Sequence, residues 1–343
     1  MVKVKAQDLF PAIAKVQKLY VPDGRNTAAT ELHKPFKEWK ADENAPCETV
    51  RTPKDFFFPQ TENLVEFKRE GKAIEVIDTR SEKEDFVIFG VRACDVRSFA
   101  ILDKVFLADP VDTYYQNRRE HGTIISMACT PEWMRETCFC HTFGIDCADP
   151  EGDVAAWFDG ESCYLEAKTE KGTKLLDSIK DVLTDCDDEP VWDIKTAIYT
   201  AKKDLPLADL TTDGFTPEKM MAYFNSEKWG ELSEACIGCG TCTFVCPTCQ
   251  CYDIRDFDTG HGIKRFRCWD SCMYSDFTKM AHGNPRVSQL ERFRQRFMHK
   301  LVYFPANNDG EFGCVGCGRC LAKCPISMNI VKVMKALKED ETV

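Results

Sequence analysis

Residues 236–247 read CIGCGTCTFVCP and residues 314–325 read CVGCGRCLAKCP. In each run three cysteines recur at two-residue gaps, and a fourth follows just before a proline. Thiolates are soft ligands suited to iron–sulfur clusters and zinc. Three at this spacing can wrap one corner of an iron–sulfur cube, while the cysteine before proline is turned toward the other cube. The runs therefore predict two cross-ligated 4Fe-4S clusters. Cys236, Cys239, Cys242 and Cys324 would hold one, and Cys314, Cys317, Cys320 and Cys246 the other. Structural zinc sites usually pair cysteines two and two, whereas three plus one occurs here twice with the same proline. Gly238, Gly240, Gly316 and Gly318 suit the same picture, because backbone packed around a cube needs positive φ and leaves little room for side chains.

A second group of cysteines lies nearer the N-terminus. Cys94 ends the run FGVRAC, Cys129 ends ISMAC, and Cys138 and Cys140 sit in TCFCH. If the two runs are neighbouring parallel strands, their C-terminal ends open onto one crevice, the usual ligand site of open α/β sheets. Four soft ligands meeting there suggest a third cluster, again 4Fe-4S. Buried apolar cysteines, zinc and a redox-active thiol pair are the competing readings. Cys249 and Cys251 in CPTCQC, with Cys268 and Cys272 in RCWDSC, could hold yet another cluster or line the space between neighbouring sites. Cys47, Cys147, Cys163 and Cys186 are scattered singly and read as core fillers. His141 and His282 could each ligate or donate a proton, although a satisfied structural histidine is the ordinary case. The chain has no G-x-S-x-G, no P-loop and no G-x-G-x-x-G, so neither a hydrolase elbow nor a dinucleotide fingerprint is present. Nothing marks a substrate pocket.

These residues need a scaffold. Residues 7–19 have helical periodicity, and a polar, Pro-containing stretch to about residue 59 suggests extended segments. KAIEVID, DFVIFGV and GTIISMA read as strands, with VRSFAILDKVF a helix between the last two, the α/β unit of a parallel sheet. DVAAWFD and SCYLEAK flank Gly160 as a hairpin, and residues 171–182 suggest another helix. An acidic, Pro-containing segment near residues 185–216 looks like a hinge. Thr216, Pro217 and Glu218 have the order of a helix start, leading toward Trp229. The expected fold class is α+β/α/β. Residues 1–185 would form a mixed α/β domain with the candidate third cluster, 186–216 a linker, and 217–343 a bacterial-type dicluster ferredoxin domain with an insertion at 248–313.

The chain has 343 residues, 43% of them hydrophobic, with 20 cysteines and a formal net charge of −11. That length allows two domains and a sizeable core. The opening MVKVKAQDLFPAIAKVQKLY is amphipathic and shows no signal-peptide pattern. No run approaches eighteen apolar residues, so no membrane span is expected. A cytoplasmic location follows by default, where thiols stay reduced and cysteines in this number mean metal. Two clusters at roughly −2 each bring the charge to about −15, which makes nucleic acid a poor partner. One basic group runs against this: Lys264, Arg265 and Arg267, then Arg292, Arg294, Arg296 and Lys300. It could offset cluster charge, dock an acidic partner or form a solvated face.

Taken in order, GVRACDVRSFAILDKVFL, YYQNRREH, MACTPEWMRETCFCHTFG, CIGCGTCTFVCPTCQCYDI, WDSC, RFRQRFMHK and GCVGCGRCLAKCP resemble one family across roughly residues 60–330. It is the family that joins the β subunit of cytoplasmic sulfhydrogenases to the iron–sulfur component of the anaerobic sulfite reductase. The resemblance implies an iron–sulfur electron carrier in a multi-subunit oxidoreductase of anaerobic metabolism. A diaphorase subunit binding FAD and NAD(P) would stand on one side, and a catalytic hydrogenase or sulfite reductase subunit on the other. The flavin would belong to the partner and not to this chain. The resemblance supports the eight cysteines of the two runs, adds weight to Cys94, Cys129, Cys138 and Cys140, and leaves a less defined role to Cys249, Cys251 and Cys272. Cys268 falls outside the family pattern, and the first sixty residues match poorly. The implied role is a non-catalytic relay of single electrons. Two rivals stand beside it: a catalytic polypeptide that acts on a sulfur compound or on a nicotinamide or flavin at the N-terminal crevice, and an iron–sulfur redox sensor or scaffold.

Overall fold

The computed structural model describes residues 1–22, 36–39, 51–80 and 84–340. Cys47, and part of the stretch expected to be extended, lie outside the described residues. The N-terminal half carries strands β1 (Val2–Lys5), β2 (Lys18–Pro22), β3 (Phe36–Glu38), β4 (Thr61–Glu70), β5 (Ala73–Asp78), β6 (Phe86–Arg92), β7 (Gly122–Met127), β8 (Val154–Phe158), β9 (Ser162–Ala167) and β10 (Thr184–Asp185). Eight of them make one mixed sheet in the order β10-β1-β9-β8-β7-β6-β2-β3. Its centre, β2, β6, β7 and β8, is parallel. Strands β6 and β7 are apolar and buried almost throughout, as strands covered on both faces must be.

Helices α1 (Ala6–Val16), α2 (Ala93–Phe106), α3 (Thr113–His121) and α4 (Glu170–Ser178) cover this sheet. Leu9 and Ile13 of α1 are buried, and so are Val96, Phe99, Leu102 and Phe106 of α2. The expected β6-α2-β7 crossover is present, with α3 added to it, and β8 and β9 form the expected antiparallel hairpin. KAIEVID is the expected strand but lies outside the parallel unit. As β5 it pairs antiparallel with β4 in a second sheet. It is largely exposed, which suits an antiparallel edge strand and would be costly inside a parallel sheet. Within 186–216, the stretch read as a linker, α5 (Glu189–Lys203) buries Val191 and Ile198 beside Trp157.

The second half is mainly helical: α6 (Met220–Asn225), α7 (Lys228–Glu234), α8 (Thr241–Phe244), α9 (Gln289–Met298), α10 (Phe304–Asn307), α11 (Arg319–Lys323) and α12 (Ile330–Lys338). The helix expected to run from Thr216 toward Trp229 breaks at Ser226, whose backbone is extended and whose Oγ bonds the Asp340 carboxylate. Trp229, Phe293, Phe297, Val333, Met334 and Leu337 form the core of this half.

The residues between the two cysteine runs do two things. Strands β11 (Tyr252–Asp258) and β12 (Gly262–Trp269) form a hairpin that pairs with β4, giving a four-stranded antiparallel sheet ordered β11-β12-β4-β5. Helix α9 then starts with a full capping box between Ser288 and Glu291 and passes into a π-helical turn over His299–Tyr303. Among the described residues, no helix is long and apolar enough to cross a membrane.

Candidate metal centres

The two runs fold alike. In each, a glycine in the left-handed region, Gly240 at φ 72° or Gly318 at φ 71°, precedes a one-turn helix, α8 or α11, that carries the third cysteine. The glycines were expected to clear space for a cube. All four have the expected positive φ and little room for a side chain, and in the second run the crowding atoms belong to a neighbouring loop. A Cβ on Gly316 would stand 2.3 Å from the Phe139 carbonyl oxygen, and one on Gly318 2.2 Å from that of Thr137. Phe139 N–H also donates to the Gly316 carbonyl at 2.9 Å. The second run is thus seated on the TCFC loop of the N-terminal half.

Cys246, Cys314, Cys317 and Cys320 line one cavity with Arg296 and Lys300. The fourth cysteine of the first run therefore stands with the first three of the second. Burial pushes the Cys317 thiol up to about 12, and the chain answers with buried cations. Lys300 bonds Thr248 Oγ1 at 2.6 Å and the Gly313 carbonyl at 2.9 Å. Burial opposes its charge, but the thiols of Cys246, Cys249 and Cys314 outweigh that and hold its ammonium above the ordinary lysine range. Arg296 donates to the Cys242 carbonyl at 3.3 Å, and among the described residues its buried Nε has no partner. Burial works against its charge too, and the surrounding thiols, Cys242 and Cys320 first, overcome it.

In the other set, Cys236 and Cys242 lie close enough to interact, and Gln289 Nε2 donates to Cys236 Sγ at 3.4 Å. Cys239 is exposed and bonds Thr241 Oγ1 at 3.4 Å, a contact that lowers its pKa. Cys324 bonds the Met328 carbonyl at 3.3 Å. The hydrogen bonds of Cys239 and Cys324 thus run to other groups, and this set is the more open of the two.

Strands β6 and β7 pair in parallel up to Arg92 and Met127, and just beyond them Cys94 and Cys129 open onto one crevice. Cys94, Cys129, Cys138 and Cys140 all line a cavity there. Cys147, read as core filler, is buried in the core beside Ala148 and Trp157, as that reading expects. It also lies in the same wall, its carbonyl accepts from Cys129 N–H at 2.9 Å, and its side chain contacts Cys140. Burial pushes Cys129 up to about 12. Arg92, Arg135, Lys202 and Arg319 supply positive charge around the cavity. His141 lines it as well, but its Nε2 donates to the Leu207 carbonyl at 3.1 Å, the structural role. His282 is exposed.

Cys317 belongs to both cavities, so the two share a wall. Cys249, Cys251 and Cys272 gather beside Cys246. Cys249 lies close enough to Cys246 to interact, as Cys272 does to Cys251, and the carbonyls of Cys246 and Cys249 accept from the buried Lys54 Nζ at 3.1 and 2.8 Å. Cys268 does not join them; it sits on β12 opposite Asp253. Of the expected basic group, Arg296 and Lys300 line the cavity of the second run. Arg265 is exposed and paired with Asp256, while Arg267 is buried against Glu62.

Among the described residues, no three acidic, histidine or cysteine side chains converge tightly enough to hold a single metal ion. The thiols line cavities instead, with buried cations in the walls, and the buried Nε groups of Arg296 and Arg319 have no acceptor among the described residues. This donor set fits a polynuclear, anionic group bound through cysteine. Arg296 and Lys300 were legible only as part of a charge run; Lys54 and Arg319 carry no local signal.

Residues 235–328 match the family of the 4Fe-4S dicluster domain. Over 337 residues the chain is 31% identical to the sulfhydrogenase 2 subunit beta of Pyrococcus furiosus, a match covering 97% of this chain and 96% of that one.

Proposed function

The chain belongs to the sulfhydrogenase β-subunit family, and we propose that it is the electron relay of a multi-subunit oxidoreductase. It would pass single electrons between a flavin-bearing, NAD(P)-linked partner and a separate catalytic subunit of hydrogenase or sulfite reductase type. The observation that carries this reading is the shared wall. Cys317 lines the cavity of the second run and also the N-terminal cavity of Cys94, Cys129, Cys138 and Cys140, so two candidate centres adjoin within one chain.

On this reading Cys236, Cys239, Cys242 and Cys324 hold one 4Fe-4S cluster and Cys314, Cys317, Cys320 and Cys246 a second, with a third at Cys94, Cys129, Cys138 and Cys140. Such clusters accept and release single electrons at potentials set by hydrogen bonds to sulfur, net charge and solvent exposure. The residues of the chain do the rest. Lys300 and Arg296 supply buried positive charge beside four thiolates, and the Thr137 and Phe139 carbonyls leave no room for side chains on the glycines of the second run. Cys239, exposed, makes the first set the natural port toward a partner.

The test uses the anaerobically purified complex. About twelve irons per chain are expected, with three reduced-cluster EPR signals; about eight would return the N-terminal crevice to a catalytic role. In the Cys242→Ser complex, electron throughput to the terminal acceptor should fall while the flavin partner still reduces an artificial dye. Full throughput with every cluster signal intact would defeat the assignment.

A further inference from the structure

We infer that Arg319, held by Asp95, is a positioning residue that sets the reduction potential of the centre in the N-terminal cavity relative to the centre behind Cys317. The inference rests on the reading that Cys94, Cys129, Cys138 and Cys140 hold a cluster. Arg319 begins α11, one residue after the left-handed Gly318, and is 3% exposed; Asp95, in the first turn of α2 and next to Cys94, is 2% exposed. The pair is bidentate: Nη1 meets Oδ1 and Nη2 meets Oδ2, both at 2.7 Å. The third donor, Nε, is buried and has no partner among the described residues, on a side chain that lines the cavity with Cys94 and Cys317.

A buried ion pair is weak evidence for stability, because desolvation cancels most of its attraction, and a buried donor without an acceptor is a further cost. Both costs sit between two sets of thiols, at the point where the halves of the chain meet. An anionic sulfur occupant of the cavity would supply the acceptor that Nε lacks. Reduction adds one electron, and so one negative charge, with no bond made or broken. A guanidinium donor therefore favours the reduced form, and Asp95, which fixes the guanidinium and offsets its charge, limits that preference. The two residues should act with opposite sign.

The experiment is a redox titration followed by EPR on the intact anaerobic complex carrying Asp95→Asn, Arg319→Gln or Arg319→Lys. With Asp95→Asn the N-terminal centre should become easier to reduce, and with Arg319→Gln harder. Each change should be about tenfold in the reduced-to-oxidised ratio at a fixed poise, 59 mV for a one-electron couple. Arg319→Lys should shift it less than Arg319→Gln, and the Cys236 set should not move. Unmoved potentials, or shifts of the same sign, in variants that keep their iron would overturn the inference. So would iron loss in both variants that Arg319→Lys escapes no better, since the pair would then be a structural clamp. About eight irons in the unmodified complex would remove the underlying reading, recognisable because no N-terminal signal exists to titrate.

Discussion

Within one turn of chain, neighbouring side chains meet opposite fates. Lys300 is buried among thiols that keep it charged, whereas His299, the residue before it, is pushed by burial to about 4, with Lys300 and Arg286 adding to the push and Cys246 opposing it. The histidine is therefore neutral when folded. Its folded pKa lies below the unfolded value of 6.5, so its contribution to stability is unchanged above that pH. As pH falls from 6.5 toward 4 the unfolded chain takes up a proton that the folded chain refuses, and stability is lost, by about 3 kcal/mol once pH is below both values. His299→Leu should remove this term. Measured anaerobically, the apparent Tm of the wild type should fall further between pH 7 and pH 5 than that of the variant. Parallel falls would mean that His299 titrates normally.

Elements were legible wherever the period was plain. The β6-α2-β7 crossover and the β8-β9 hairpin follow from apolar runs and a turn glycine, and the crevice for Cys94 and Cys129 follows from the parallel pairing of their strands. What crowds the glycines of the second run was not legible, because those atoms belong to residues near 138, far away in sequence. That difference can be tested. Gly310 has φ 82° and open space around it, so Gly310→Ala should cost only the left-handed penalty of about 1–2 kcal/mol. Gly318→Ala carries the same penalty and also drives a methyl into the Thr137 carbonyl. We expect its apparent Tm to fall at least twice as far and its iron content to drop, with Gly310→Ala keeping full iron. Equal losses in the two variants would show that the loop contact is dispensable.

Across the whole molecule, the cysteine runs were legible and the couplings between halves were not. Cysteine spacing is local, so both runs could be read directly, whereas Asp95 and Arg319 are 224 residues apart and only the fold joins them. The same is true of the second sheet. Its hairpin comes from between the two runs and its other strands from the N-terminal half, and a buried cluster locks the join. Arg267 pairs with Glu62 and Asp112, Arg118 also pairs with Glu62, and the Arg267 guanidinium lies 5.1 Å from the Phe58 ring centroid. Together with the seat of Gly316 and Gly318 on residues 137 and 139, this makes the halves interdependent, and unfolding should be one cooperative event. Arg267→Met strips one partner from a buried pair, a loss of up to about 3–5 kcal/mol, moderated because Arg118 still faces Glu62. Anaerobic calorimetry should show the single transition moved as a whole to lower temperature. If the trace instead split in two, with one component at the wild-type position, the sheet would be a separable attachment, and the buried charges would serve only the hairpin and not the relay.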